Sequence, residues 1–181
     1  MRAKRRTAPA SSERRRFLKG TLAFAGACVL PGAWTPAAAA LPDATVRLLE
    51  TSHFVYVSPL LRDGSESHCH GEVWYAWDAG SVLVLTARTT WKARAHARGL
   101  DRARVWVGDH GRWKGWFSNN EDFRRAPRFD AHVREERDQA AFERLMESYA
   151  VRYPEEFPDW EARMRAGFAS GARALLRYAP A

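Results

Sequence analysis

Cysteine is scarce in this sequence. Only Cys28 and Cys69 occur in 181 residues, and with the first 40 residues removed a single thiol remains, which excludes an internal disulfide framework. A glycine-rich phosphate loop is missing, no paired carboxylates suited to acid–base work stand out, and no serine or cysteine stands in a motif with a partnered base. Kinase and hydrolase readings therefore have nothing to rest on, and no catalytic acid, base or nucleophile is assigned. There is no internal repeat and no low-complexity linker. The apolar run TLAFAGACVLPGAW is too short and too interrupted to span a bilayer stably.

A surplus of one charge sign is also less general than the totals imply. The chain carries 29 Lys plus Arg against 21 Asp plus Glu, formally +8. Eight of those basic residues fall within residues 1–40, with Glu13 the one acid there, so the rest of the chain holds 21 basic against 20 acidic residues. A nearly neutral body removes the case for a nucleic-acid partner, which would need a basic face to displace counterions.

Residues 1–40 read as an export signal: a basic stretch, the apolar run, then TPAAAA, suited to cleavage near Ala39 or Ala40. Within it ERRRFLKG resembles the twin-arginine export signal. Arg14 and Arg15 match the pair and Phe17, Leu18 and Lys19 the residues that follow, while Glu13 departs from the usual Ser or Thr. The resemblance implies the twin-arginine translocation machinery as a partner and a periplasmic or extracellular location. It also favours a cofactor-bearing protein, since that route carries chains already folded. Cys28 in FAGAC is the alternative, a lipoprotein acceptor, but Ala25 stands where Leu is usual. Residues 41–181 form one domain, long enough to bury a sizeable core.

Along that domain, ATVRLLETS is amphipathic and HFVYVSPL, rich in β-branched and aromatic residues, predicts a strand. RDGS makes a turn. ESHCHGEVWYAWD alternates, with His68, His70, Glu72, Trp74 and Ala76 on one face and Cys69, Val73, Tyr75 and Trp77 on the other, which predicts one strand. DAG turns the chain into SVLVLT, an apolar strand buried on both sides. TWKARAHARG changes period to a helix, with Thr90 at the N-cap and Gly99 as the stop, and RARVWVG returns to strand. Residues 109–127 hold an aromatic-rich hairpin or long loop, and Arg128 to Val133 a strand. DQAAFERLMESYAVRY places Phe142, Leu145, Met146 and Tyr149 on one helix face. Pro154 and Pro158 bracket a break, DWEARMRAGFAS is a further helix and ARALLRYAP a closing strand. The expected fold class is α+β: a mainly antiparallel split β-barrel with short flanking helices.

The line GEVWYAWDAGSVLVLTARTTWKARAHARGLDRARVWVG resembles the flavin-binding split barrel of the pyridoxamine-phosphate-oxidase type and its deazaflavin-using relatives. That family ends the strand before its short helix in an apolar residue and Thr, here Leu85 and Thr86. After a loop come a hydroxyl residue, a variable residue and Lys, here Thr90, Trp91 and Lys92. Trp91 replaces the basic residue often seen there, leaving Arg88 or Arg94 to supply that contact. The resemblance implies FMN, or a deazaflavin, as cofactor, haem being a lesser alternative. It also implies Trp74 beside the ring system, a homodimer, and hydride transfer to or from a small organic molecule. A hydroxyl, a cation and free N–H groups at a helix start suit a phosphate, so Thr90, Lys92 and Arg88 are the expected cradle.

Three other readings compete. One takes the basic residues as the solvated face of a short helix; another takes the split barrel as a non-catalytic flavin or haem carrier or sensor; a third takes the exported domain as an empty barrel that acts through its surface. His68 and His70, on one strand face, raise a metal reading that lacks a second ligand cluster, although His53, His96, His110 and His132 are available; Cys69 is expected to pack as a small hydrophobe. Trp74, Trp77, Trp91, Trp106, Trp113 and Trp116 are expected mostly in the core.

Overall fold

The computed structural model describes residues 40–110, 114–115, 118–119 and 121–181. Residues 1–39, on which the expected export signal and Cys28 fall, lie outside them, as do Trp113 and Trp116. In chain order the elements are α1 (Asp43–Thr51), β1 (Val55–Pro59), β2 (Gly71–Val73), β3 (Ala76–Asp78), β4 (Ser81–Ala87), α2 (Trp91–Ala97) and β5 (Arg102–Val107). A small hairpin follows, β6 (Lys114–Gly115) and β7 (Ser118–Asn119), then a 3-10 turn (Asp122–Arg125), β8 (Arg128–Glu136), α3 (Gln139–Arg152), α4 (Phe157–Ala169) and β9 (Arg173–Pro180).

Seven strands make one antiparallel sheet in the order β2-β1-β5-β8-β9-β4-β3. Its two edge strands, β2 and β3, are neighbours in the chain, separated by Trp74 and Tyr75 alone. Six inter-strand gaps of about 4.8 Å would put the edges of a flat sheet about 29 Å apart, whereas the three peptide steps from Val73 to Ala76 reach at most about 11 Å. The sheet must therefore curl until its edges meet. β8 carries much of the bend: Arg128–His132 pair with β5, and Ala131–Glu136 with β9. The result is an α+β, split-barrel-like fold.

This closure corrects the expectation of one long strand over ESHCHGEVWYAWD. The chain leaves the sheet after Val73, crosses the seam at Trp74–Tyr75, and re-enters it on the other side at Ala76. Its alternation is correspondingly broken before β2, where Cys69 is exposed rather than packed and His68 is exposed while His70 is buried.

Alternation does hold in β4. Val82 and Val84 enter the barrel interior with Val55, Val57, Val105, Phe129, Leu176 and Tyr178. Leu83 and Leu85 face the other way, against Phe142, Leu145, Met146 and Tyr149 of α3 and Met164 of α4. A strand buried on both faces reads as a continuous apolar run, and each such side chain contributes about 1.5–3 kcal/mol by leaving water. The β3–β4 hairpin turns through Ala79 (φ 47°) and Gly80 (φ 71°), the paired positive φ values a two-residue turn needs to match the strand twist.

The helices are tied down by named groups. Asp138 caps α3 by accepting from the N–H groups of Ala140 and Ala141. Arg152, at the other end of α3, donates to the carbonyls of Leu49, Glu50 and Ser52 and so satisfies the C-terminal end of α1. Pro158 falls in the first turn of α4, where its missing N–H costs nothing, rather than in the preceding break.

Candidate functional site

A cavity of about 520 Å³ lies along the seam, a volume ordinary for a small-molecule or cofactor site. One wall comes from the β2 side, with Glu72, Val73 and Trp74; the other from β4, with Val84, Leu85, Thr86 and Ala87, continued by Thr90 and Lys92. Phe54, Tyr149, Glu156, Trp160 and Met164, and Arg173 of β9, complete it. Because the two sheet edges meet without pairing, the fold leaves a cleft here and fills it with side chains from both.

Five of the seven expected cofactor residues line this cavity: Trp74, Leu85, Thr86, Thr90 and Lys92. The other two do not. Arg88 is exposed and donates both terminal nitrogens to the Glu135 carboxylate, at 3.1 and 2.6 Å, and its Nε to the Gly171 carbonyl. Trp91 turns from the cavity, its indole standing 3.4 Å from where a Cβ on Gly71 would lie. It borders a separate, smaller hollow with Cys69, Arg94 and Arg98, so Arg94 is no substitute for the missing contact.

The two threonines are used differently from expectation. Thr90 takes the N-cap position of α2, but its side chain makes no capping bond. Its hydroxyl donates to the Ala87 carbonyl at 2.9 Å and lies 2.9 Å from the Thr86 hydroxyl. Since Thr90 has spent its one proton, Thr86 must be the donor of that pair. Both hydroxyl protons are therefore engaged within the protein, and each oxygen keeps a lone pair able to accept.

The charged donors of the lining are Lys92 and Arg173. Neither the Lys92 nor the Arg173 side chain has an acceptor among the described residues. Lys92 is partly buried, with its ammonium 4.5 Å from the centre of the Trp91 ring, and desolvation pushes its pKa down to about 8. Arg173 lays its stem across α4 at Gly167, where a Cβ would come within 2.8 Å of Arg173 Cδ. Arg173 is absent from the sequence-derived site because only the pairing of β4 with β9 sets it opposite Ala87.

The aromatic end is rigid. Trp74 stacks on Tyr153, centroids 4.2 Å apart and planes 7° from parallel, and meets Tyr149 edge-on. Tyr149 donates to the Trp74 carbonyl, and Tyr153 to that of His53. Burial raises both phenols well above their ordinary value. Behind the β2 wall, Tyr56 donates to Glu72 at 3.2 Å, its own pKa raised to about 12, chiefly by burial. Among the described residues no group of three or more His, Cys, Asp or Glu is placed to hold a metal ion.

No protein-family model matches the sequence, and no curated protein matches it. Solved structures do. The chain is similar to a conserved hypothetical protein of Mycobacterium tuberculosis, at 18% identity over 79% of this chain and 82% of that one, TM-score 0.53. Further matches are the heme storage protein HutZ of Vibrio cholerae (14% identity, 79% and 92% covered, TM-score 0.47) and a FAD-binding protein of Mesorhizobium loti (15%, 78% and 91%, TM-score 0.47). At 18% identity the first likeness is one of fold alone, and the other two are too distant to add to it.

Proposed function

We propose that the chain is an exported oxidoreductase that binds FMN or a deazaflavin in the seam cavity and exchanges hydride with a small organic molecule, working as a homodimer. The observation that carries the reading is the pairing, in one cavity, of two cations without an acceptor among the described residues, Lys92 and Arg173, with the aromatic wall at Trp74. Partial burial of a cation that lacks a counter-charge is costly, and an anionic ligand offsets that cost. Lys92 and Arg173 would hold the phosphate, Trp74 and Leu85 would border the ring, and the acceptor oxygens of Thr86 and Thr90 suit ligand hydroxyl or N–H groups. The cofactor supplies the hydride chemistry, and the protein supplies binding, orientation and exclusion of water.

The test is a fluorescence titration with FMN at pH 7. Lys92→Ala removes a charge-assisted contact worth roughly 1.5–3 kcal/mol, so affinity should fall about ten- to a hundredfold. Arg98→Ala, at the exposed far end of α2, should bind as the wild type does. Equal affinity of wild type and Lys92→Ala would leave the basic residues as a solvated face.

A further inference from the structure

Lysine is rare in this chain. Of its 29 basic residues 25 are arginines, and the lysines are Lys4, Lys19, Lys92 and Lys114. Where a fixed positive charge is wanted, as at Arg88, Arg104, Arg144 and Arg177, the protein uses the guanidinium, which pairs with carboxylates and does not deprotonate. In the seam cavity it uses both: Arg173 as the fixed charge, and Lys92 as an amine.

Lys92 differs from the paired cations in each respect that matters for nucleophilicity. It lines a cleft of about 520 Å³, has no carboxylate partner among the described residues to hold its proton, and is desolvated at its charged end. The charged groups sharing that space are Glu72 from β2, Glu156 at the start of α4 and Arg173 from β9; Lys92 also borders a much smaller space lined by His96, Arg102 and Tyr178. Glu72 accepts a hydrogen bond from the Tyr56 hydroxyl.

We propose that Lys92 is a carbonyl-reactive amine that captures aldehydes bearing an anionic group, with Arg173 receiving the anion. This concerns the nitrogen of Lys92 itself and does not depend on flavin binding. The neutral amine adds its lone pair to the carbonyl carbon, forming a C–N bond as the carbonyl π pair moves to oxygen. A proton passes from nitrogen to that oxygen to give a carbinolamine. Loss of the hydroxyl with a proton, as one water, leaves the imine. No oxidant or reductant enters.

At pH 7.5 an amine titrating near 8 is neutral on the order of a hundred times more often than one at the ordinary lysine value. The experiment treats flavin-stripped full-length protein with 4-carboxybenzaldehyde and cyanoborohydride at pH 7.5, with Nα-acetyllysine in the same tube as reference, and reads the Lys92 peptide by mass. The Lys92 adduct should form at least tenfold faster than the reference adduct, and added FMN should slow it. Arg173→Leu should slow capture of 4-carboxybenzaldehyde about tenfold relative to neutral benzaldehyde. Labelling of Lys92 no faster than the reference, in protein whose near-ultraviolet circular dichroism is native, overturns the amine. An Arg173→Leu substitution that changes the capture rates of both aldehydes by the same factor overturns the anionic class. Failure of FMN to bind while trapping proceeds defeats only the flavin reading.

Discussion

At the scale of single residues the site turns on who already has a partner. Arg88, Thr86 and Thr90 have the right chemistry for a phosphate, yet Arg88 is committed to Glu135 and the threonine protons to Thr90 and Ala87. Lys92 and Arg173 are left, and Arg173 depends on a glycine. Gly167→Ala would place a methyl group 2.8 Å from Arg173 Cδ and 3.1 Å from Nε, displacing the guanidinium, while alanine raises helix stability by about 1 kcal/mol at an interior position. The two effects have separate readouts. Thermal melting should show an unchanged or higher Tm, and FMN affinity should fall about three- to tenfold; a variant that melts no lower and binds FMN as tightly as wild type would remove Arg173 from the site.

Among the elements, the β3–β4 hairpin forms one lip of the seam, and ion pairs hold it rather than a second strand partner for β3. Asp78 receives Arg144 of α3 at 2.7 Å and Arg177 of β9 at 3.1 Å, and Arg177 also reaches Glu136 of β8 at 3.0 Å. The Arg144 hydrogen bond, with Arg177 behind it, outweighs burial and depresses the Asp78 pKa. At Glu136 burial alone would raise the pKa, but Arg177 and the Asp138 N–H bring it below the ordinary value. Carboxylates depressed in the folded state stabilise it above their unfolded pKa, near 4, and that contribution is lost as pH falls through the lower folded values. Denaturation midpoints should thus be level from pH 7 to about 5 and decline below about 4. Asp78→Asn, leaving Arg177 short of a counter-charge, should cost about 2–4 kcal/mol at pH 7 and show a shallower acid decline. Parallel curves for the two proteins would mean that Asp78 does not carry it.

For the whole molecule, curling the sheet is what makes a site at all. Two residues join its edges, so the edges must approach, and because they do not pair the cleft between them stays open to ligand. No helix among the described residues is long and apolar enough to cross a membrane. The proposal of export rests on Arg14 and Arg15 ahead of Phe17-Leu18-Lys19. Replacing both arginines by lysine should strand the precursor in the cytoplasm on cell fractionation; processed protein outside it at the wild-type level would end the twin-arginine route.

Local pattern by itself determined the elements. The 3.6-residue spacing of Phe142, Leu145, Met146 and Tyr149 marks α3, the unbroken apolar run of β4 marks a strand buried on both faces, and the segment from Leu85 to Lys92 marks most of one cavity wall. Each of these depends on residues close in sequence, where side-chain period and turn chemistry act directly. The tertiary structure alone decided the rest. Period-two alternation continues across Trp74 and Tyr75 although the strand does not, because only the closure of the sheet breaks the pairing there. Arg173 joins Lys92 because β9 lies beside β4 in register, across 80 residues of chain, and Arg88 leaves the site because Glu135, from β8, lies within 2.6 Å of it. A side chain's chemistry is written in its own residue type. Its availability depends on long-range partners, and those are chosen by the packing of the sheet.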